Sequence, residues 1–533
     1  ELALVGATGN AIGKNGDMSH FAPWYRAFGE IGFRFNPSWT VLLNGGYFAY
    51  QNTSWIGDPG IGGVTAGVSI KFNYDTQKAT GGVVGTLSQD ESLFPLFYTI
   101  YKENPFASIT IKNNETAEIR DVTVYFKADG YTASDIECGH IAKIKKHKTE
   151  ELFLYGDFTK EILRFTEAGK ISGEVVVRYN FLGHDRTAVI SVVVSVHNRN
   201  QMRWSDSAAI ASYISASAPE VLEFSKVLVG ISRSHLRSGL NRNLQFAMYV
   251  FEGMRLSGIA CADDFETPYN GYHVDANLLD YIQYPYQTMF YKTGDKDDVG
   301  ILFMALLESV GISTAFIPLS DDFIVALNTK ITADTADRYF DGDERYLNIE
   351  DEIWIPLSMK DLKEGFVTSW YKGAEKINAL IEQDEALDFV ALEEAWQMYP
   401  PAGFASSEDI DILPSESALV NAVELDLSRY VTTEFGPRIT ALQNRIKTEG
   451  GSTDIYNQLG MMYVRAGMYS KAIPVYEQSA KMGSIPAMNN LGNIASLQKR
   501  YLDAKRWYER VLAIDPNNAT AKRNLARIES DLE

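Results

Sequence analysis

The run Gly294-Asp295-Lys296-Asp297-Asp298 stands directly before the apolar stretch "VGILFMALLESVGISTAF", where a helix would carry a nucleophile at its N-terminus. By position the candidate is Lys296. A lysine attacks only as the free amine, which requires burial or neighbouring cations to lower its pKa, and three adjacent aspartates favour the ammonium instead. Thiol chemistry is the other option, and it needs a thiolate within hydrogen-bond reach of an imidazole. The chain has 2 cysteines, Cys138 and Cys261, and 7 histidines, with no cysteine beyond Cys261 and no histidine beyond His273. A nucleophilic Cys261 would have to be served by His235 or His273. His140, His147, His184 and His197 fall in or beside turns and strands without the spacing of metal ligands, so neither a metal nor another cofactor is expected. The cysteines lie far apart in different predicted domains and suggest no disulfide.

The helix that would present Lys296 is readable in the pattern. Val299, Leu302, Phe303, Leu306, Leu307 and Val310 recur at helical spacing, and Ile301, Met304 and Ala305 make the remaining faces apolar, so the helix is central. Asp295, Asp297 and Asp298 suit its N-terminus, where unpaired N–H groups and the helix dipole favour acids. Gly311 ends it. "STAFIPL", "DDFIVALNT" and "EIWIPLS" then read as buried strands, giving an α+β domain over residues 204–378.

Together, the Gly-Asp-Lys-Asp-Asp turn, "ALLESVGISTAFI", "FIVALNT" and "WIPLSMKDLKEGFVTSWYKGA" resemble the core of bacterial transglutaminase-like domains, which are related to papain-type thiol enzymes. The resemblance implies a nucleophilic cysteine at the start of the helix and a histidine base on the next strand. Here Lys296 stands at the cysteine position, Asp322 at the histidine position, and Ser358 where an acid is often found. The chain is therefore expected to be a pseudoenzyme with no catalytic residues, in which Lys296 and Asp322 pair across a vestigial cleft that holds peptide or peptidoglycan without cutting it.

The surrounding chain changes character four times. In residues 1–76, "WYRAFGEIGFRF", "SWTVLLNGGYFAY" and "GVTAGVSIKFNY" alternate with period two, aromatics near their ends and small or polar residues on the second face. This is similar to the strands of outer-membrane β-barrels. About four strands are present, fewer than a one-chain barrel requires, so further strands or further protomers would have to complete it. Residues 77–94 read as a linker, and 95–203 as an Ig-like β-sandwich of short strands such as "SGEVVVRYNF" and "RTAVISVVVSVHN". Residues 379–450 read as an acidic helical linker. From 451 to 533 an internal repeat superposes Leu459 on Leu491, Gly460 on Gly492, Ala472 on Ala504 and Tyr476 on Tyr508, and resembles tetratricopeptide repeats (TPR). Their concave face is expected to show Asn457, Met461, Arg465, Asn489, Asn493 and Leu497 to a protein partner.

With 533 residues, 45% of them hydrophobic, several cores are expected. A net charge of −20 argues against nucleic acid as a partner, and the short basic run "KIKKHK" reads as a solvated turn. No apolar stretch reaches the length of a transmembrane helix and no signal-peptide pattern opens the chain, whose start at Glu1 suggests a mature or truncated form. The expectation is a non-catalytic scaffold of the bacterial cell envelope, anchored at the outer membrane with periplasmic domains that bind protein partners. The alternatives are an active thiol-type peptidase or transamidase using non-standard residues, and a periplasmic scaffold whose N-terminal sheet is soluble.

Overall fold

The computed structural model describes residues 2–15, 18–36, 39–50, 62–72, 82–262, 275, 278–402, 410 and 412–532. Strands β1 (Leu2–Asn15), β2 (Met18–Asn36), β3 (Trp39–Tyr50) and β4 (Gly62–Phe72) form an antiparallel sheet in chain order. Its register sets Ile31 against Leu43 and Leu43 against Val68, and likewise Phe33 against Val41 and Val41 against Ile70. Because side chains alternate along a strand, one face gathers Ile31, Phe33, Leu43, Tyr47, Val64, Val68, Ile70 and Phe72, all exposed. The other face carries Glu30, Thr40, Asn44 and Ser69, with Asn44 Nδ2 donating to Ser69 Oγ at 3.2 Å.

A two-sheet sandwich follows, built from β5 (Val83–Ser88), β6 (Ala107–Asn113), β7 (Ile119–Lys127), β8 (Ile136–Ile144), β9 (Thr149–Leu154), β10 (Gly169–Phe181) and β11 (His184–Val196). The sheets, β5-β6-β9 and β11-β10-β7-β8, enclose Ile109, Val124, Phe126, Val175 and Val194. Strand β5 lies inside the segment expected to be linker. Its six residues "VVGTLS" are too short and too glycine-rich to announce a strand, and pairing along the whole of β5 with β6 decides it.

The third region holds β12 (Gln201–Met202), α1 (Pro219–Ser232), α2 (Arg242–Leu256), β13 (Ala260–Cys261), β14 (Asp280–Tyr281), α3 (Pro285–Tyr291), β15 (Thr293–Gly294) and α4 (Lys296–Ser309). It continues with β16 (Thr314–Pro318), β17 (Phe323–Thr332), β18 (Leu347–Ile349), β19 (Glu352–Ser358), α5 (Phe366–Glu382), β20 (Val390–Ala391), α6 (Leu392–Met398) and α7 (Glu416–Glu434). A five-stranded antiparallel sheet in the order β18-β19-β17-β16-β20 backs α4, every residue of which from Lys296 to Leu307 is buried. The stretch 379–450 is not a linker. Strand β20 closes the sheet edge on β16, and α6 and α7 bury Leu392, Leu419, Val423, Leu427 and Tyr430 in the same core as α4. Acidic residues on α7 mask this role in the sequence, because two of them, Asp426 and Glu434, are themselves buried.

The last helices are α8 (Gly436–Glu449), α9 (Thr453–Arg465), α10 (Tyr469–Lys481), α11 (Ile485–Leu497), α12 (Tyr501–Ile514) and α13 (Ala519–Leu532). They pair in sequence, and α8 lays Ile439, Leu442 and Ile446 against the core of Leu459, Tyr476, Leu491 and Tyr508. Glycine is required where the helices cross: a Cβ on Gly460 or Gly492 would come within 2.5 Å of the Tyr476 or Tyr508 ring.

Candidate functional site

The turn that starts α4 is built as the spacing of its acids implies. Asp295 is the N-cap and accepts from the Asp298 amide, while Asp298 returns a bond from the Asp295 amide, a reciprocal box that uses two otherwise unpaired helix donors. Asp298 Oδ1 also takes the Gln283 amide at 2.7 Å. Lys296, at 3% exposure, and Asp297, at 1%, are buried with it. Burial, then the neighbouring Asp295 carboxylate, pushes both Asp297 and Asp298 well above the usual carboxylate range. Beside this turn β13 runs parallel to β15 and sets Cys261 opposite Gly294, two residues before Lys296. His235 sits just after α1, its amide bonded to the Ser232 carbonyl, and His273 lies outside the described residues.

Asp322 and Ser358 come together. Asp322 immediately precedes β17 and Ser358 closes β19, where pairing sets Ile324 opposite Ser358. Ser358 Oγ lies 2.5 Å from Asp322 Oδ2 and 2.9 Å from Asp361 Oδ2. Lys376 Nζ reaches Asp322 at 3.0 Å and Asp321 at 2.8 Å, and Lys372 Nζ reaches Asp361 at 2.7 Å. Both lysines project from α5 one turn apart, so acids and ammonium groups interleave along the seam between helix and sheet. Burial raises the Asp361 carboxyl, but the bonds from Lys372 and Ser358 outweigh it and leave the group below its usual range. The sequence signal for this network was the i, i+4 spacing of Lys372 and Lys376 on an amphipathic helix; the carboxylates they meet are 11 to 55 residues away and carried no local mark.

In the C-terminal helices the three asparagines expected on the concave face are engaged within the fold. Asn457 donates to Ser484 Oγ at 2.8 Å and accepts from Ser479 Oγ at 3.1 Å. Asn493 Oδ1 accepts from the Tyr508 hydroxyl at 2.8 Å and Asn524 Nδ2 at 2.9 Å, and Asn489 reaches Asn518 at 3.5 Å. Arg465 is partly buried near Asp337, Arg338 and Arg438. Met461 and Leu497 remain exposed. The tetratricopeptide repeat family matches residues 453–482 and 485–518.

The C-terminal helices are tetratricopeptide repeats. The chain is similar to the tetratricopeptide repeat domain-containing protein PYG7, chloroplastic, of Arabidopsis thaliana, at 37% identity over 81 residues, 14% of this chain and 27% of that protein. It is also similar to the uncharacterized protein ycf37 of Cyanophora paradoxa, at 32% identity over 111 residues, 20% of this chain and 62% of that protein. The ycf37 protein of Pyropia yezoensis is 38% identical over 72 residues, 13% of this chain and 40% of that protein. The chain thus spans less than two thirds of the length of each of these relatives. Repeats of this kind stack helix pairs around a groove of the sort that takes a protein partner.

Proposed function

We propose that this chain is a non-catalytic envelope scaffold, held at an outer membrane by strands β1–β4 and recruiting a protein partner through its tetratricopeptide repeats. The observation that carries the anchoring is the sheet's two-faced surface. Nine exposed apolar side chains, with Trp39 added to the eight named above, share a face with no charged residue among them, while Glu30, Asn44 and Ser69 occupy the other. From Trp39 to Tyr47 this face runs about 27 Å along a strand, the height of an outer-membrane barrel's apolar band. Acyl chains are the solvent such a face fits. The pseudoenzyme part of the proposal rests on Lys296, Asp322 and Ser358 standing where the resembled family carries thiol, base and acid. Lys296 and Asp322 pair across the former cleft, and that cleft retains peptide or peptidoglycan stem without cleaving it. For the repeats, exposed Met461 and Leu497 favour a partner segment with an apolar face.

Flotation of the full chain with lipid vesicles, followed by partner cross-linking, tests both halves. Replacing Val68 and Ile70 by Asp should abolish flotation and leave repeat-bound partner unchanged; Met461→Glu with Leu497→Glu should do the reverse. Flotation that survives Val68→Asp with Ile70→Asp would refute the anchor. A thiol enzyme is the second reading, favoured by the placement of Cys261 beside Gly294. Amide hydrolysis or transfer that disappears on Cys261→Ala would establish it.

A further inference from the structure

We propose that the pocket where the sandwich meets α3 binds a sugar residue bearing a single carboxylate. The pocket holds about 350 Å³, within the range of small-ligand sites, and it lies at a junction between structural units, where such sites are common. Thr166 stands just before β10, Arg199 and Asn200 lead into β12, Tyr281 belongs to β14, and α3 supplies the rest of the lining. Its base is polar and buried: Arg199 is 9% exposed, Gln287 7% and Asn200 2%. Its mouth is aromatic, with Phe290 49% and Tyr291 56% exposed, and Tyr281 and Tyr286 stand half-buried between mouth and base. Two adjacent exposed rings above a buried guanidinium are a costly combination for a surface that meets only water.

The base is held in place by the fold itself. Arg199 Nη1 donates to the Leu163 carbonyl at 3.2 Å and Nη2 to the Tyr286 hydroxyl at 2.9 Å, which fixes the plane of the guanidinium at the pocket wall. Asn200 Nδ2 donates to the Ile282 carbonyl and to Gln287 Oε1, both at 2.6 Å, and the Gln287 side chain bonds the Tyr281 hydroxyl in turn. A fixed, planar guanidinium selects a carboxylate, whose two oxygens match its fork of donors. One such cation suits one negative charge. Glu220, which acts on Tyr286 from α1, and the net charge of −20 both disfavour the second charge of a phosphate ester. The rest of the lining decides what carries the carboxylate. Hydroxyls of Tyr281, Tyr286 and Thr166 and the amides of Asn200 and Gln287 alternate with ring faces. A pyranose presents the same alternation, apolar C–H faces bounded by a rim of hydroxyls, whereas an aryl acid would use the rings and the guanidinium but not the amides.

The full chain is titrated with methyl β-D-glucuronide, methyl β-D-glucoside and benzoate, with binding read by saturation-transfer NMR on the ligand. The glucuronide is expected to saturate with a Kd of about 1 mM, the affinity that one sugar ring and one charge-assisted contact supply. The glucoside, which lacks the carboxylate, and benzoate, which lacks the hydroxyl rim, bind about tenfold more weakly. Phe290→Ala with Tyr291→Ala, at two exposed positions, leaves Tm unchanged and weakens the glucuronide about tenfold. Arg199→Lys keeps the charge, loses the fork and brings the glucuronide down to the level of the glucoside. Should that variant fail to fold, the ratio of glucuronide to glucoside in the parent reads the same contact. The proposal is overturned by equal binding of glucuronide and glucoside, by benzoate binding as tightly as the glucuronide, by no saturable binding of the glucuronide, or by glucuronide binding that survives loss of both mouth rings.

Discussion

Two clusters of charge with buried carboxylates sit in the same α/β core, and they are composed differently. Around Ser358 the acids Asp321, Asp322 and Asp361 meet Lys372 and Lys376, so each carboxylate has an ammonium or hydroxyl within 3.0 Å. At the start of α4, Asp297 is surrounded by acids and has no donor. Burial makes both arrangements expensive, because a charge taken from water must be repaid by its neighbours. The first repays it internally and is a structural clamp between β17, β19 and α5. In the second, burial and the neighbouring Asp295 carboxylate push Asp297 and Asp298 well above the usual carboxylate range, so the turn favours bound protons.

The comparison breaks most visibly at Lys376. Lys376→Met keeps the volume and removes an ammonium from Asp322, which is 0% exposed. A loss of about 3 kcal/mol in urea unfolding is expected, with most of it recovered in the double variant carrying Asp322→Asn. Asp297→Asn should show no such loss. If both single variants destabilise equally, the two clusters are the same kind of object and the contrast is void.

Gly373→Ala probes how the clamp is seated. A Cβ there would come 2.7 Å from the Pro356 carbonyl oxygen and 2.9 Å from the Ser358 amide, both backbone atoms of β19 that cannot swing aside. Moving α5 outward carries Lys376 away from Asp322. The expected cost is about 2–3 kcal/mol, an overpacking effect, and hydrogen exchange should rise along β19 before it rises in α4.

A third pair lies between these extremes. Glu252 on α2 and Asp426 on α7 are both buried; Glu252 Oε2 takes Arg255 and Glu252 Oε1 takes the Phe366 amide at 3.2 Å. Burial, then the Glu252 charge, pushes Asp426 up from 3.8 to about 7, against which the Val367 amide and Arg429 act. Between those values the folded chain keeps a proton that the unfolded chain has released, so stability falls as pH rises from about 4 through about 7 and levels off above. Asp426→Asn should remove that slope and add about 2 kcal/mol at pH 8. An unchanged slope would mean that this carboxyl is ionised in the fold throughout that range.

Much of this organisation was legible in the sequence, for reasons that also explain the gaps. Helix α4 declared itself because its apolar residues outrun one face, and the repeats did so because Leu459, Gly460, Ala472 and Tyr476 recur 32 positions later. Strand β20 did not, since a two-residue strand has no period, and α7, read as helical, was not read as core because it buries acids among its apolar positions. Lys296, Asp322 and Ser358 drew attention by position. The partner of Asp322 did not, because Lys376 reaches it from 54 residues away and nothing local marks a lysine that will meet a buried carboxylate.

The smallest expected effect concerns the asparagines of the repeats. As an interior bracket, Asn493 accepts from the Tyr508 hydroxyl and Asn524 Nδ2, so Asn493→Ala strands buried polar groups and should cost about 1 kcal/mol. Repeat arrays distribute such losses locally, so exchange should quicken in α11–α13 while the α/β core keeps its protection. Met461→Ala, at a side chain 41% exposed, should leave stability unchanged and lower capture of a partner. The paired outcome separates residues that hold the groove's shape from residues that face into it. If Asn493→Ala weakens capture with no change in exchange, its amide belongs to the partner after all, and the hydrogen bonds it makes in the free chain are ones the partner displaces.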